Sequence, residues 1–230
     1  MRRFLKDQAL SIAFLALFLG SLLGQAIAGH QLYNNDEVDH ASLTGDQADT
    51  ISFWRYLVSS HFGNAVMENW QSEYLQFVTF LIITVWLIQR GSTESKEPGK
   101  AGRESDEDQQ VGRHADADSP KWARVGGWRQ RLYENSLLVV MATIWIASWF
   151  AQSVTGWSEF NSDQLQHRQH TVSWLGYLGK PDFWEATFQN WQSEFLAVGS
   201  MVVLSIYLRQ RGSPQSKPVG AGHHETGVEG

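Results

Sequence analysis

The chain has 230 residues, 24 acidic against 18 basic side chains, a net charge of −6 and no cysteine. The missing thiol excludes disulfides, thiolate zinc sites, iron–sulfur ligation and cysteine nucleophiles. A mean hydropathy of −0.30 resembles that of a soluble protein, but the polarity is segregated: residues 91–120 and the tail from Gly212 hold almost no apolar side chains, and the remainder is dense in Leu, Ile, Val, Phe and Trp.

The first apolar run, Ala9–Ala28, follows the basic residues Arg2, Arg3 and Lys6. It satisfies the roughly 20-residue requirement for crossing a bilayer. The basic leader and the Ala26-Ile27-Ala28 triplet also fit a cleavable signal peptide; retention is expected, because a matching run lies mid-chain. The second run, about Trp70–Gln89, carries Asn69-Trp70-Gln71-Ser72-Glu73 on its outer turns, and its apolar core is Phe77–Ile88. The charged, Gly-rich linker 97–127 reads as disordered, and Trp122 and Trp128 within Lys121–Arg131 read as an interfacial anchor. The third run is Ser136–Thr155 and the fourth is about Trp191–Gln210. Asp182 with Glu185 reads as a capping box for the last helix, and Ser60 as the corresponding cap in the first half. The tail 218–230 is expected to be disordered.

Fifteen of the 18 basic residues precede the first run, lie between the second and third, or end the fourth. The loops after runs one and three hold only Arg55, Arg168 and Lys180. The positive-inside rule therefore puts both termini and the linker in the cytoplasm.

The two halves repeat. Phe4–His40 aligns without gaps on Arg131–His167, with 8 of 37 positions identical. Ile51–Lys96 aligns on Val172–Lys217, with 18 of 46 identical, including the whole Asn-Trp-Gln-Ser-Glu block. Each copy has two spans, so both insert in the same direction. The expected fold is an all-α membrane protein, with four transmembrane helices as two parallel two-helix repeats, residues 1–96 and 128–217.

Two groups of polar residues are candidate sites. Glu73 and Glu194 each lie 17 residues before an inner arginine, roughly 25 Å at the helical rise. Gln25 and Gln152 fall at a similar height. The resulting layer comprises Gln25, Asn69, Gln71, Ser72, Glu73, Gln152, Asn190, Gln192, Ser193 and Glu194. Polar groups at that depth should face protein, as an interhelical hydrogen-bond clamp or as a pocket for a proton, cation or small solute. The second group is an outer-loop element, Asn34, Asp36 and His40, repeated as Asn161, Asp163 and His167. An Asp and a His four apart could ligate a divalent metal, and they could equally cap a short helix. His61, His170 and the pair His223-His224 lack counterparts and read as surface residues. No Walker loop, HExxH, GxSxG or dinucleotide fingerprint is present.

The segments Arg131–Leu137 (RLYENSL), Phe188–Gly199 (FQNWQSEFLAVG) and Ser205–Val219 (SIYLRQRGSPQSKPV) resemble those of an uncharacterised bacterial family of small four-span membrane proteins. The resemblance spans both repeats and implies a bacterial membrane location without supplying an activity; the inner membrane is the expected site. That family's loop commonly reads Tyr-Asn-Glu-Glu-Gln; this chain has Tyr33-Asn34-Asn35-Asp36-Glu37 and Phe160-Asn161-Ser162-Asp163-Gln164. The expectation is a non-enzymatic structural or interaction protein. No cofactor, catalytic residue, resident metal or nucleic acid is expected. The partners would be the bilayer and a second copy or another membrane protein. Binding or transport through Glu73 and Glu194 is the alternative.

Overall fold

The computed structural model describes residues 2–45 and 47–228; Met1 and Asp46 of the first expected repeat, and Glu229 and Gly230 of the tail, lie outside the described residues. Among the described residues the chain is all-helical, without a strand. The helices are α1 Arg2–Asp7, α2 Ala9–Thr44, α3 Phe53–Leu57, α4 Ser60–Trp86, α5 Lys121–Arg124, α6 Gly127–Glu134, α7 Ser136–Gln166, α8 Trp174–Tyr177 and α9 Pro181–Tyr207. Two compact units emerge: Met1–Val66 with Val154–Val172, and Met67–Ser153 with Ser173–Gly230.

Helices α2 and α7 are long and apolar enough to cross a membrane. Their apolar side chains point outward: Leu10, Phe14 and Leu17 on α2 and Leu137, Ile146 and Phe150 on α7 are all exposed. A helix buried in a soluble core would hide such a surface, and large exposed apolar patches mark a surface that something apolar covers. Helices α4 and α9, 27 residues each, do not reach the same apolar length. Their first halves are polar, so the expectation of four spans rests there on about half of each helix.

Element boundaries differ from the sequence expectation in three places. Helices α2 and α7 run on to Thr44 and Gln166, well past Ala28 and Thr155, because no proline interrupts the segment and Gly29 and Gly156 are tolerated within it. The expected outer loop is therefore helix as far as His40, and as far as Gln166 in the second copy. Helices α4 and α9 stop at Trp86 and Tyr207, three residues short of Gln89 and Gln210. Thus only Glu73–Trp86 is helical below Glu73, a rise of about 20 Å. The caps also move: Ser59 Oγ, not Ser60, accepts the Phe62 N–H at 3.3 Å. Lys180 precedes α9 with Pro181 in its first turn. Asp182 thus sits inside the helix, where its charge favours the positive helix end.

The loops after α4 and α9 are built alike. In both, the N–H of the glutamine bonds the hydroxyl of the serine six residues on, Gln89 to Ser95 and Gln210 to Ser216, at 2.9 Å each. In both, the following glycine is left-handed, φ 89° at Gly91 and 81° at Gly212. The linker and tail carry further turns. Ser105 Oγ donates to Asp108 Oδ2 at 2.7 Å, and Val111, Ala123 and Thr226 are buried.

Candidate functional site

In the first unit, the amides of Asn34 and Asn161 perform one task twice. The Asn34 side chain accepts the Ile51 N–H at 2.8 Å and donates to the Ile51 carbonyl at 3.0 Å. The Asn161 side chain accepts the Val172 N–H at 2.9 Å and donates to the Val172 carbonyl at 2.9 Å. An asparagine amide presents a donor and an acceptor side by side. Each one thereby pairs with a single residue of the returning loop as a neighbouring strand would. A ring nitrogen reinforces each clamp: His30 Nε2 lies 2.7 Å from the Ile51 carbonyl, and Trp157 Nε1 donates to the Val172 carbonyl at 2.8 Å.

The rest of that predicted group is exposed or half-buried. The His40 and His167 rings meet edge-on, centroids 5.8 Å apart. Asp163 Oδ1 lies 3.3 Å from His167 Nδ1, and Gln166 Nε2 donates to Glu37 at 2.6 Å. Among the described residues, no group of three or more His, Asp or Glu side chains is arranged to hold a metal ion. Asp36 instead lies within electrostatic range of His61.

His61 is the centre of a cluster that sequence reading missed. Tyr56 Oη lies 3.5 Å from His61 Nδ1, and Glu159 Oε1 lies 3.6 Å from His61 Nε2. The Tyr33 ring abuts His61 edge-on, with centroids 5.5 Å apart. Tyr56 is only 2 % exposed, and it fits because Gly29 opposite it has no side chain. A Cβ on Gly29 would lie 2.2 Å from Tyr56 Oη. Burial pushes the His61 pKa below the ordinary histidine value, with Asp36 acting the other way. Burial, then the Glu159 carboxylate, pushes the Tyr56 phenol up. The phenol, the imidazole and the Glu159 carboxyl group thus meet in one cluster, at separations of 3.5 and 3.6 Å. The signal was present in the repeat. His61 and Glu159 align with Asp182 and Leu32, so this chemistry belongs to one copy only.

The second unit holds most of the predicted polar layer, and two of its best-buried members, Gln71 and Ser72, are hydrogen-bonded within the protein. Gln71, fully buried, accepts the Trp191 indole N–H at 2.7 Å and donates to the Glu68 carbonyl at 3.1 Å. Ser72 and Ser193 donate to the carbonyls three residues before them, at 2.9 and 2.8 Å. Asn190 donates to the Ala186 carbonyl at 2.8 Å. Gln152 is buried. Asn69, Gln192 and Glu73 are exposed, and Glu194 is half-buried, within electrostatic range of Glu73. Gln25 is half-buried on α2, in the first unit.

On the same unit, the Lys217 ammonium is buried in a cage of carbonyls. It donates to Gly91 at 2.7 Å, Glu225 at 3.0 Å and Gly222 and His223 at 3.2 Å each. Burial and the Arg209 charge lower its pKa, and Glu225 opposes them. The Gly91 N–H bonds Thr226 Oγ1 at 2.8 Å, so the cage ties the tail to the loop after α4. Lys96, the matching residue, donates to the Gly102 carbonyl at 2.8 Å and pairs with Glu104.

Among the described residues, the fold defines an all-helical protein with two helices long and apolar enough to cross a membrane. The chain belongs to the family described as a domain of unknown function, DUF6766, which it matches over residues 1–228. No curated protein and no solved structure matches it.

Proposed function

We propose that this is a non-enzymatic structural or interaction protein of the bacterial inner membrane. Its four spans form two parallel repeats, with both termini cytoplasmic and the bilayer and a second membrane protein or copy as partners. One observation carries the structural reading: Gln71, the most deeply buried polar side chain of the Asn-Trp-Gln-Ser-Glu block, is occupied by Trp191 and Glu68. A group held that way fixes helix packing and is not free to bind a solute. The paired clamps at Asn34 and Asn161, and the paired turns after α4 and α9, support the duplication. The outward apolar faces of α2 and α7 support the membrane.

The proximity of Glu73 and Glu194 favours a second reading, in which the two carboxylates bind a proton, cation or small solute. The double substitution Glu73→Gln, Glu194→Gln separates the two. Under the structural reading, thermal unfolding and proton or cation flux in proteoliposomes both stay at the wild-type level. Gln71→Leu, in contrast, lowers stability by about 1–3 kcal/mol by stranding the Trp191 N–H. Loss of wild-type flux in the glutamine pair, with unchanged melting, would establish the transport reading.

A further inference from the structure

We infer that α3 docks on outer-leaflet phospholipids as an interfacial anchor, with Trp54 and Val58 among the headgroups and Arg55 on a lipid phosphate. Helix α8 repeats the apolar contact in the second unit. Both anchors rest on the membrane reading of α2 and α7 above, and both stand whether or not α4 and α9 cross.

The roll of α3 is set by its buried side. Tyr56 is buried and packs on Tyr33 and His30 of α2, with ring centroids 6.1 and 5.8 Å apart. At about 100° per residue, the residues two before and two after Tyr56 point away from that contact. Being four apart, they share one face. They are Trp54, 76 % exposed, and Val58, which caps the helix and is 84 % exposed. Helix α8 follows the same plan: Tyr177 is buried and Leu175, two residues before it, is exposed. A serine starts each helix, Ser52 accepting the Arg55 N–H and Ser173 the Gly176 N–H.

Height places these faces. The run Ala9–Ala28 rises about 30 Å, the thickness of the hydrocarbon layer. Helix α3 packs on the turn just beyond it, where Phe53 meets the His30 ring at 5.7 Å and Tyr56 Oη lies against Gly29. Trp54 therefore emerges at headgroup depth, where an indole keeps its apolar body in lipid and its N–H in water. In the second unit, Trp174 donates to Ser153 Oγ at 3.1 Å and lies 6.0 Å from the Phe150 ring, near the end of the run Ser136–Thr155. Leu43 is exposed too, but it lies about 22 Å beyond Ala28 along α2, in water.

Charge agrees with height. Residues 29–69 hold one basic side chain, Arg55. It is exposed beside Trp54, and its planar guanidinium suits a phosphate. The exposed apolar surface of α2 reaches Ile27, so the face of Trp54 and Val58 begins at the height where that surface ends.

The native chain has no cysteine, so single nitroxide labels can report depth in the full-length protein. The vesicles contain phosphatidylethanolamine and phosphatidylglycerol, and the readout is the ratio of collisions with lipid-soluble oxygen to those with a water-soluble nickel chelate. Labels go on Trp54→Cys and Leu175→Cys, with Leu15→Cys, mid-run, and Leu43→Cys as the two ends of the scale. All four positions are exposed, so the labels displace no packed side chain. We expect the ratio at 54 and 175 to be several-fold above that at 43 and several-fold below that at 15. Adding Arg55→Glu to Trp54→Cys should raise nickel collisions several-fold, and Arg55→Lys should leave them unchanged. A ratio at 54 or 175 equal to that at 43 or at 15 would overturn the anchor on that helix. Indifference of the 54 label to Arg55→Glu would overturn the phosphate contact. A label at 15 as open to nickel as the one at 43 would instead overturn the membrane reading itself.

Discussion

Asn34 and Asn161 stand out in the sequence because both survive in the two copies of one pattern, yet their work depends on partners 17 and 11 residues away. Spacing along a helix cannot reveal that. Both positions were legible as candidates, and the metal-ligand chemistry considered beside them was not what the fold uses them for. Replacing Asn34 with alanine leaves the Ile51 N–H without its side-chain acceptor, at a cost of about 1–3 kcal/mol. Asn161→Ala should cost a similar amount at Val172, and both losses can be read as a lowered Tm in detergent. His61 has no counterpart in the other copy, where Asp182 stands, and that asymmetry marks the cluster as specific to one half. Its depressed pKa makes the first unit sensitive to acid. The unfolded chain binds a proton near pH 6.5, whereas the buried imidazole resists protonation until lower pH. The unfolded state then holds more protons, so stability falls as pH drops below about 6.5 and is fully retained above it. Melting curves between pH 7.5 and 5 should show that slope, and His61→Gln should flatten it; an unchanged slope would count against the burial argument.

At the scale of elements, apolar periodicity and the repeat found all four long helices, because both depend on local sequence. Their ends were harder. Helices α2 and α7 outrun the apolar segments since nothing in Gly29–Thr44 or Gly156–Gln166 breaks a helix, and hydropathy reports the membrane, not the helix. Helices α4 and α9 stop early because the loop that follows supplies competing bonds from Ser95 and Ser216 to the backbone. The matched turns are not equal in surroundings. A Cβ on Gly91 would sit 2.4 Å from the His223 carbonyl, whereas nothing lies within 4 Å of one on Gly212. Gly212→Ala should therefore cost only the left-handed backbone, about 1–2 kcal/mol. Gly91→Ala should cost more and loosen the tail. Limited proteolysis near His223 would show it as faster cleavage in Gly91→Ala than in Gly212→Ala.

For the whole molecule, the number of spans is the quantity on which every other placement depends, and composition alone marks only α2 and α7 as long and apolar enough to cross. The polar first halves of α4 and α9 dilute their hydropathy, so length and composition cannot separate a span with a wet end from a helix lying outside the bilayer. Cysteine accessibility separates them, and the native absence of cysteine makes the test clean. If all four helices cross, residues 49 and 168 lie outside and residue 118 lies inside. If only α2 and α7 cross, residue 118 moves to the side of residue 49, and residue 168 moves to the opposite one. The C-terminus falls on the side of the N-terminus either way and so decides nothing. Single substitutions Asp49→Cys, Asp118→Cys and Arg168→Cys, treated with an impermeant maleimide on intact cells, therefore give two distinct patterns. Labelling at 49 and 168 with protection at 118 is expected, because it keeps the nine basic residues from Arg90 to Arg131 in the cytoplasm. Labelling at 49 and 118 with protection at 168 would reduce the spans to two and carry that charge across the membrane.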